Sequence, residues 1–311
     1  MAAMTSFVLR RLLGVVPVFF VVSVTVFLLI HLVPGDPIDN LMRAGSSPAL
    51  REQMAVKYGL DKSLFEQYVI WMGEVLTLDF GTSIIQARPV GALIAQNLPD
   101  SLLLGGSAFL FSTVAGIGGG VLAARYYGTR IDSGITTGIL LGSTVPSFWL
   151  GLLLILVFAV WLGWVPVSGA RGWTSLILPV IAAGLGGVAL VARVTKVAMI
   201  EIGRQDFVML LRAKGVPEHT IRLRHILRHA LVPVISILGL RIGWILGGAI
   251  TVEVVFARPG LGSLLIRALN QRDYPLVQGC LLMLAMAVIL GTVMGDIAQA
   301  AMDPRQRETS K

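Results

Sequence analysis

Long apolar runs dominate the chain, broken by short polar stretches; only a few segments alternate as the helices of a soluble protein do. Six runs, at about 9–33, 100–124, 133–163, 174–195, 230–254 and 277–298, are long enough to cross a bilayer as helices rising about 1.5 Å per residue. The third has no charge between Ser133 and Val167 and exceeds one straight crossing. Pro146 is therefore expected to kink it, with Trp161, Trp164 and Trp173 marking an interface belt. The first run follows Arg10 and Arg11 and leads into His31-Leu-Val-Pro-Gly-Asp36 instead of a small-residue cleavage site. It reads as a retained helix, not a signal peptide.

Two inter-span segments have a pattern of their own. In the segment 34–98, residues 47–58 have helical spacing behind a Ser47 cap, Gly59-Leu-Asp61 breaks it, and Ser63 to Leu78 reads as a second helix; the pair is expected to lie over the first span and cap its outer mouth. The segment 206–229 is basic and amphipathic. Gly215 suits a left-handed residue ending one short helix, and Pro217 suits the first position of the next. In that second helix Leu223, Ile226, Leu227, Ala230 and Leu231 share one side. Arg222, Arg224, His225, Arg228 and His229 share the other.

Composition fits a polytopic membrane protein: of 311 residues, 55% are hydrophobic and 14% charged, and mean hydropathy is +0.82. The formal charge of +8 comes from basic residues clustered beside the spans, which argues against nucleic-acid binding and sets an orientation. With the N-terminus inside, 15 of the 25 Lys and Arg fall on cytoplasmic pieces and nine on outer ones, Arg241 lying within a span. Both termini and the 206–229 loop are thus expected in the cytoplasm. The domain organisation follows: 1–33 N-terminus and first span, 34–98 extracytoplasmic helical segment, 99–300 five-helix core holding the loop, 301–311 cytoplasmic tail.

Chemistry within the chain is sparse. The lone Cys280 excludes an intrachain disulfide and argues against a thiol-metal site. No Gly-Lys-Ser/Thr occurs, and Gly59-Leu-Asp-Lys-Ser63 lacks the glycine before lysine, so the chain is expected to bind no ATP and no cofactor. Glycines recur at four-residue intervals, Gly116/Gly120, Gly134/Gly138/Gly142, Gly239/Gly243/Gly247 and Gly291/Gly295, as in close helix packing inside the chain. Arg241 and Glu253 lie in or near a span and are candidates for the translocation path; a structural pair or an interfacial side chain is the plainer reading of Glu253. Asp296 reads as a helix-end acceptor and His31 as an outer cap. The basic face around Arg224 and Arg228 suits anionic headgroups, and Arg212-Ala213-Lys214-Gly215 suits protein contact.

A set of motifs runs the length of the chain: His31-Leu-Val-Pro-Gly-Asp36-Pro, Leu78-Asp-Phe-Gly-Thr-Ser83, Val145-Pro-Ser-Phe-Trp-Leu-Gly151, Leu162-Gly-Trp-Val-Pro166 with Gly169, Val252-Glu-Val-Val-Phe256 with Pro259-Gly-Leu-Gly262, Arg272-Asp-Tyr-Pro275 with Gln278-Gly279, and Asp303-Pro-Arg305. In these, and in the helix–glycine–helix loop, the chain resembles the B-type permeases of bacterial dipeptide and oligopeptide ABC importers. It departs from the general signature of such loops in Met209-Leu210-Leu211 in place of Glu-Ala-Ala and in a downstream Ile-x-Leu-Pro displaced to Leu231-Val-Pro233, the latter as peptide-importer permeases usually have it, and it carries Gln299 where relatives commonly place a tyrosine. The resemblance implies an all-α, six-helix type I importer permease in the bacterial cytoplasmic membrane, non-catalytic itself. It implies a homologous second permease, two cytoplasmic ATPase subunits that use ATP and Mg, and an extracytoplasmic binding protein delivering short peptides. Asp206, Phe207, Arg212, Ala213, Lys214, Gly215, Val216 and Pro217 would form the ATPase-coupling loop. Nickel, haem or glutathione-type cargo on the same machinery is the alternative, and an ion-coupled secondary transporter a more distant one.

Overall fold

The computed structural model describes residues 2–32, 61–169, 172–243, 247 and 249–302. The expected helix at 47–58, the side chain of His31 and Asp303-Pro-Arg305 lie outside them. Among the described residues the fold is helical: α1 (Ala2–Leu32), α2 (Leu64–Leu76), α3 (Val90–Arg125), α4 (Arg130–Thr144), α5 (Ser147–Trp161), α6 (Thr174–Gly203), α7 (Asp206–Ala213), α8 (Glu218–Ile242), α9 (Ile250–Val255), α10 (Leu261–Gln271) and α11 (Tyr274–Met302). Among the described residues, five helices are long and apolar enough to cross a membrane, six if the bent pair α4–α5 is one span.

Two spans differ from expectation. The third is no gentle kink: α4 and α5 meet at 101°. Val145 (ψ 127°) and Pro146 (ψ 135°) are both extended, because proline disfavours helical backbone at the residue before it, and two extended residues in succession turn the chain. The fifth begins at Glu218, inside the segment read as a loop, and its helix stops at Ile242. The end of the loop and the start of the span are one rod.

Small residues set the packing. Among the described residues α3 and α6 have the most extensive helix contact; a Cβ on Gly116 would lie 2.5 Å from Val191 Cβ. α8 and α11 cross where Gly239 meets Gly295, closely enough that a Cβ on Gly295 would strike the Gly239 carbonyl. Gly134 and Gly138 depart from the expected pattern, since a Cβ on either would meet no atom within 4 Å: that ridge faces outward on α4. Near the end that bears the 206–229 loop, Arg11 pairs with Asp296 at 3.2 Å, so Asp296 answers a charge on α1 instead of capping its own helix. Lys196 pairs with Asp132 at 2.5 Å, tying α6 to α4.

α2 begins with a capping box, Ser63 Oγ receiving Glu66 N–H while the Glu66 carboxylate accepts from Ser63 N–H. It does not sit over the end of α1. It lies beside it, with Tyr68 hydrogen-bonded to Ser23 at 2.9 Å and Tyr68 and Trp71 against Phe27 at ring separations of 5.4 and 5.9 Å.

At the opposite end from the loop, motifs far apart in sequence meet. Ser83 Oγ donates to Asp273, whose carboxylate also accepts from Ile84 N–H at 3.1 Å and Ile85 N–H at 3.3 Å. Arg258 reaches the carbonyls of Gly169 (3.1 Å) and Ser175 (3.3 Å), fastening the start of α6. All three charged or polar anchors, Asp273, Arg258 and Ser83, are buried, and such groups persist in an interior because their hydrogen bonds are made.

Candidate coupling site

The loop at the other end is built as helix, turn, helix. α7 ends in a Schellman motif: Gly215 N–H donates to the Arg212 carbonyl (3.0 Å) and Val216 N–H to the Leu211 carbonyl (3.1 Å). This geometry needs Gly215 in the left-handed region, and its φ is +76°. Pro217 stands one position earlier than expected, as the N-cap of α8, with φ −56° and ψ 137°. The Glu218 carboxylate spans the turn, 3.1 Å from Arg212 and 3.2 Å from Arg222. Its hydrogen bond to Arg212 stabilises the charged guanidinium and raises that pKa above the ordinary arginine value.

The inner face of this unit is apolar. Val208, Ile221, Ile226 and Ala230 are buried with Ala198 and Met199 of α6, and Phe207, Leu211 and Val216 pack around them. Phe207 also meets His229 edge-on at 5.5 Å. Residues 221–226 are wound as a π-helix, whose i→i+5 bonding brings Ile221 and Ile226 onto one face. That winding overturns part of the amphipathic assignment: Leu223, expected inside, is 57% exposed.

Of the expected contact residues, Asp206, Arg212, Ala213, Lys214, Gly215 and Pro217 are exposed together, whereas Phe207 and Val216 are half-buried anchors. Met209 and Leu210 were not among them, yet they are 58% and 56% exposed beside the charged tip. The signal was in the sequence: with Val208 and Leu211 turned inward on so short a helix, Met209 and Leu210 have no core left to join. A cavity of about 570 Å³ opens near this end between α3, α4 and α6, lined by Tyr127, Thr136, Arg193, Lys196, Glu201 and Arg204 among others.

The two intramembrane candidates are not brought together. Arg241 lies in the middle of the bundle against α3 and α6. Glu253, on α9, is 1% exposed and accepts from Ser101 Oγ at 2.5 Å and Ser263 N–H at 3.0 Å. It is packed against Gly260, where a Cβ would stand 2.2 Å from its carboxyl carbon.

The sequence matches "Binding-protein-dependent transport system inner membrane component" over residues 116–308, and "Binding-prot-dependent transport system membrane comp, N-term" over residues 4–104. The chain belongs to the binding-protein-dependent transport permeases. The glutathione transport system permease protein GsiC of Escherichia coli (strain K12) is 37% identical over 304 residues, covering 98% of this chain and 99% of that protein. GsiC of Shigella dysenteriae serotype 1 (strain Sd197) gives the same figures. In fold the permease resembles an inward-facing crystal form of the MetNI methionine ABC transporter, with TM-score 0.57 and 18% identity over 68% of this chain and 96% of that one. It is accordingly a type I permease subunit of an ABC importer, a multi-pass protein of the bacterial inner membrane.

Proposed function

We propose that this permease imports short peptides, glutathione-sized ones included, as one of two homologous permeases around a shared pathway. Both termini and the 206–229 loop lie in the cytoplasm, following the charge bias of the loops. The carrying observation is the coupling unit itself: a stiff helix–turn–helix with an exposed apolar and basic tip, whose inner face is fused to α6 and continuous with α8. Such a unit transmits a push without folding or unfolding. Two ATPase subunits that bind ATP and Mg supply the push at Met209, Leu210, Arg212, Ala213, Lys214 and Gly215. Nucleotide closure then drives the bundle between inward- and outward-open states. The chain binds no cofactor, and an extracytoplasmic binding protein delivers the cargo. The glutathione transport role of the GsiC relatives supports peptide cargo.

The test is uptake of di-, tri- and longer peptides and of nickel chelates into liposomes. With the second permease, the ATPases and the binding protein present, peptide uptake requires ATP and survives an uncoupler. The chain alone shows no uptake under a proton or sodium gradient. Gradient-driven uptake by the isolated chain would replace this reading with an ion-coupled transporter, and ATP-driven uptake of nickel chelates alone would replace the cargo.

A further inference from the structure

Arg241 is a cation in an unusual place. It stands near the end of α8, against Ser112 and Gly187, which lie within helices long and apolar enough to span the membrane. Its Nη1 donates to the Gly187 carbonyl at 3.1 Å and to Ser112 Oγ at 3.4 Å. Both acceptors are neutral, and among the described residues no carboxylate lies within ion-pair distance. Arg11, Lys196, Arg212 and Arg222 each face a carboxylate, whereas Arg258, like Arg241, is held by neutral oxygens. The room for the guanidinium is made by glycine, since a Cβ on residue 187 would stand 2.0 Å from Nη2.

Arginine cannot escape this position by losing its proton, because its guanidinium stays charged in proteins. Placed inside a membrane, an ionised side chain needs water, a dipole or a counter-charge. The two neutral acceptors engage one nitrogen, leaving the donors of Nε and Nη2 for an acceptor that the described residues do not supply. A carboxylate matches that need in charge and in its pair of acceptor oxygens.

We propose that Arg241 is an anion-recognition point on the translocation path, binding the carboxylate of the cargo as it passes mid-membrane. The proposal rests on the peptide reading above and adds a chemical selectivity to it: anionic cargo over its uncharged counterpart. Ser112 and Gly187 hold the guanidinium between transport cycles. Arrival of a carboxylate replaces weak neutral acceptors with a charged one, and departure restores them.

The test uses the complete transporter in liposomes with saturating, peptide-loaded binding protein. It compares a tripeptide with its C-terminal amide in wild type, Arg241→Gln and Gly187→Ala. In wild type the free acid is taken up in preference to the amide. Arg241→Gln lowers the acid-to-amide uptake ratio at least tenfold. Gly187→Ala, which keeps the charge but displaces the guanidinium, lowers the same ratio by a smaller factor. Because binding protein and ATPases are common to all three, their own discrimination cancels in the comparison. A ratio unchanged in both variants, an equal fall for acid and amide, or a wild type indifferent to the two overturns the proposal while leaving the peptide importer intact. A wild-type complex that imports neither peptide overturns the peptide reading, and this proposal with it.

Discussion

At Gly215 a single backbone angle holds the coupling turn together. Any side chain there must adopt φ +76°, a region that costs an L-residue about 1–2 kcal/mol. Gly215→Val is expected to insert normally, associate weakly with the ATPases and lose transport; full uptake with normal ATPase stimulation would refute the coupling role. Glu218 predicts a subtler effect. Its pairs with Arg212 and Arg222 are partly exposed, so Glu218→Gln should cost under about 1 kcal/mol of stability. Abundance in the membrane should stay near wild type while peptide uptake per ATP falls, measured by counting both in the same vesicles. The need for glycine was readable from the chain because the turn chemistry is local. The outward position of Leu223 was not, because a 100° wheel assumes α winding and the 221–226 stretch is π. Arg241 could be flagged as a charge within a span, but its neutral partners Ser112 and Gly187 come from helices 129 and 54 residues away.

The helices themselves were legible wherever hydrophobic length decided them, and misjudged where backbone chemistry did. α3, α6 and α11 contain the runs assigned to them, and α1 covers 9–32 of its own; the α4–α5 break and the early start of α8 depend on Pro146 and on packing of Ile221 and Ile226 against α6. The four-residue glycine rule likewise located ridges without saying what they touch. Gly116 meets α6, whereas Gly134 and Gly138 face outward. This difference gives a paired prediction. Gly116→Leu forces a side chain into Val191 and should cost about 1–3 kcal/mol by overpacking, seen as reduced membrane abundance and increased protease sensitivity. Gly134→Leu, open to its surroundings within this chain, should leave the abundance of the chain expressed alone unchanged by immunoblot.

For the whole molecule, the charge bias makes a direct claim about sidedness. A cysteine replacing Glu66 should react with an impermeant maleimide on intact cells, and one replacing Glu218 should react only after the membrane is opened. The reverse pattern would move the coupling site to the wrong side of the bilayer. Motif order along the chain foretold the family but not the spatial convergence in which Asp273 binds the 83–85 turn and Arg258 binds Gly169 and Ser175; only the folded path brings them to one end. That convergence has a mechanical consequence. α6 is held at Ser175 by Arg258 and carries the coupling unit at Met199, about 36 Å away for 24 residues at about 1.5 Å each. If the proposed coupling holds, a body pinned at one end and pushed at the other acts as a lever with its fulcrum at the end away from the loop. A thrust of about 3 Å at Gly215 would then appear as a tilt of about 5° over a helix of that length, with the largest excursion at the loop end and almost none at Ser175. Spin-label distances to a partner permease should therefore change little from Ser175 and most from Met199 between nucleotide-free and ATP-bound states.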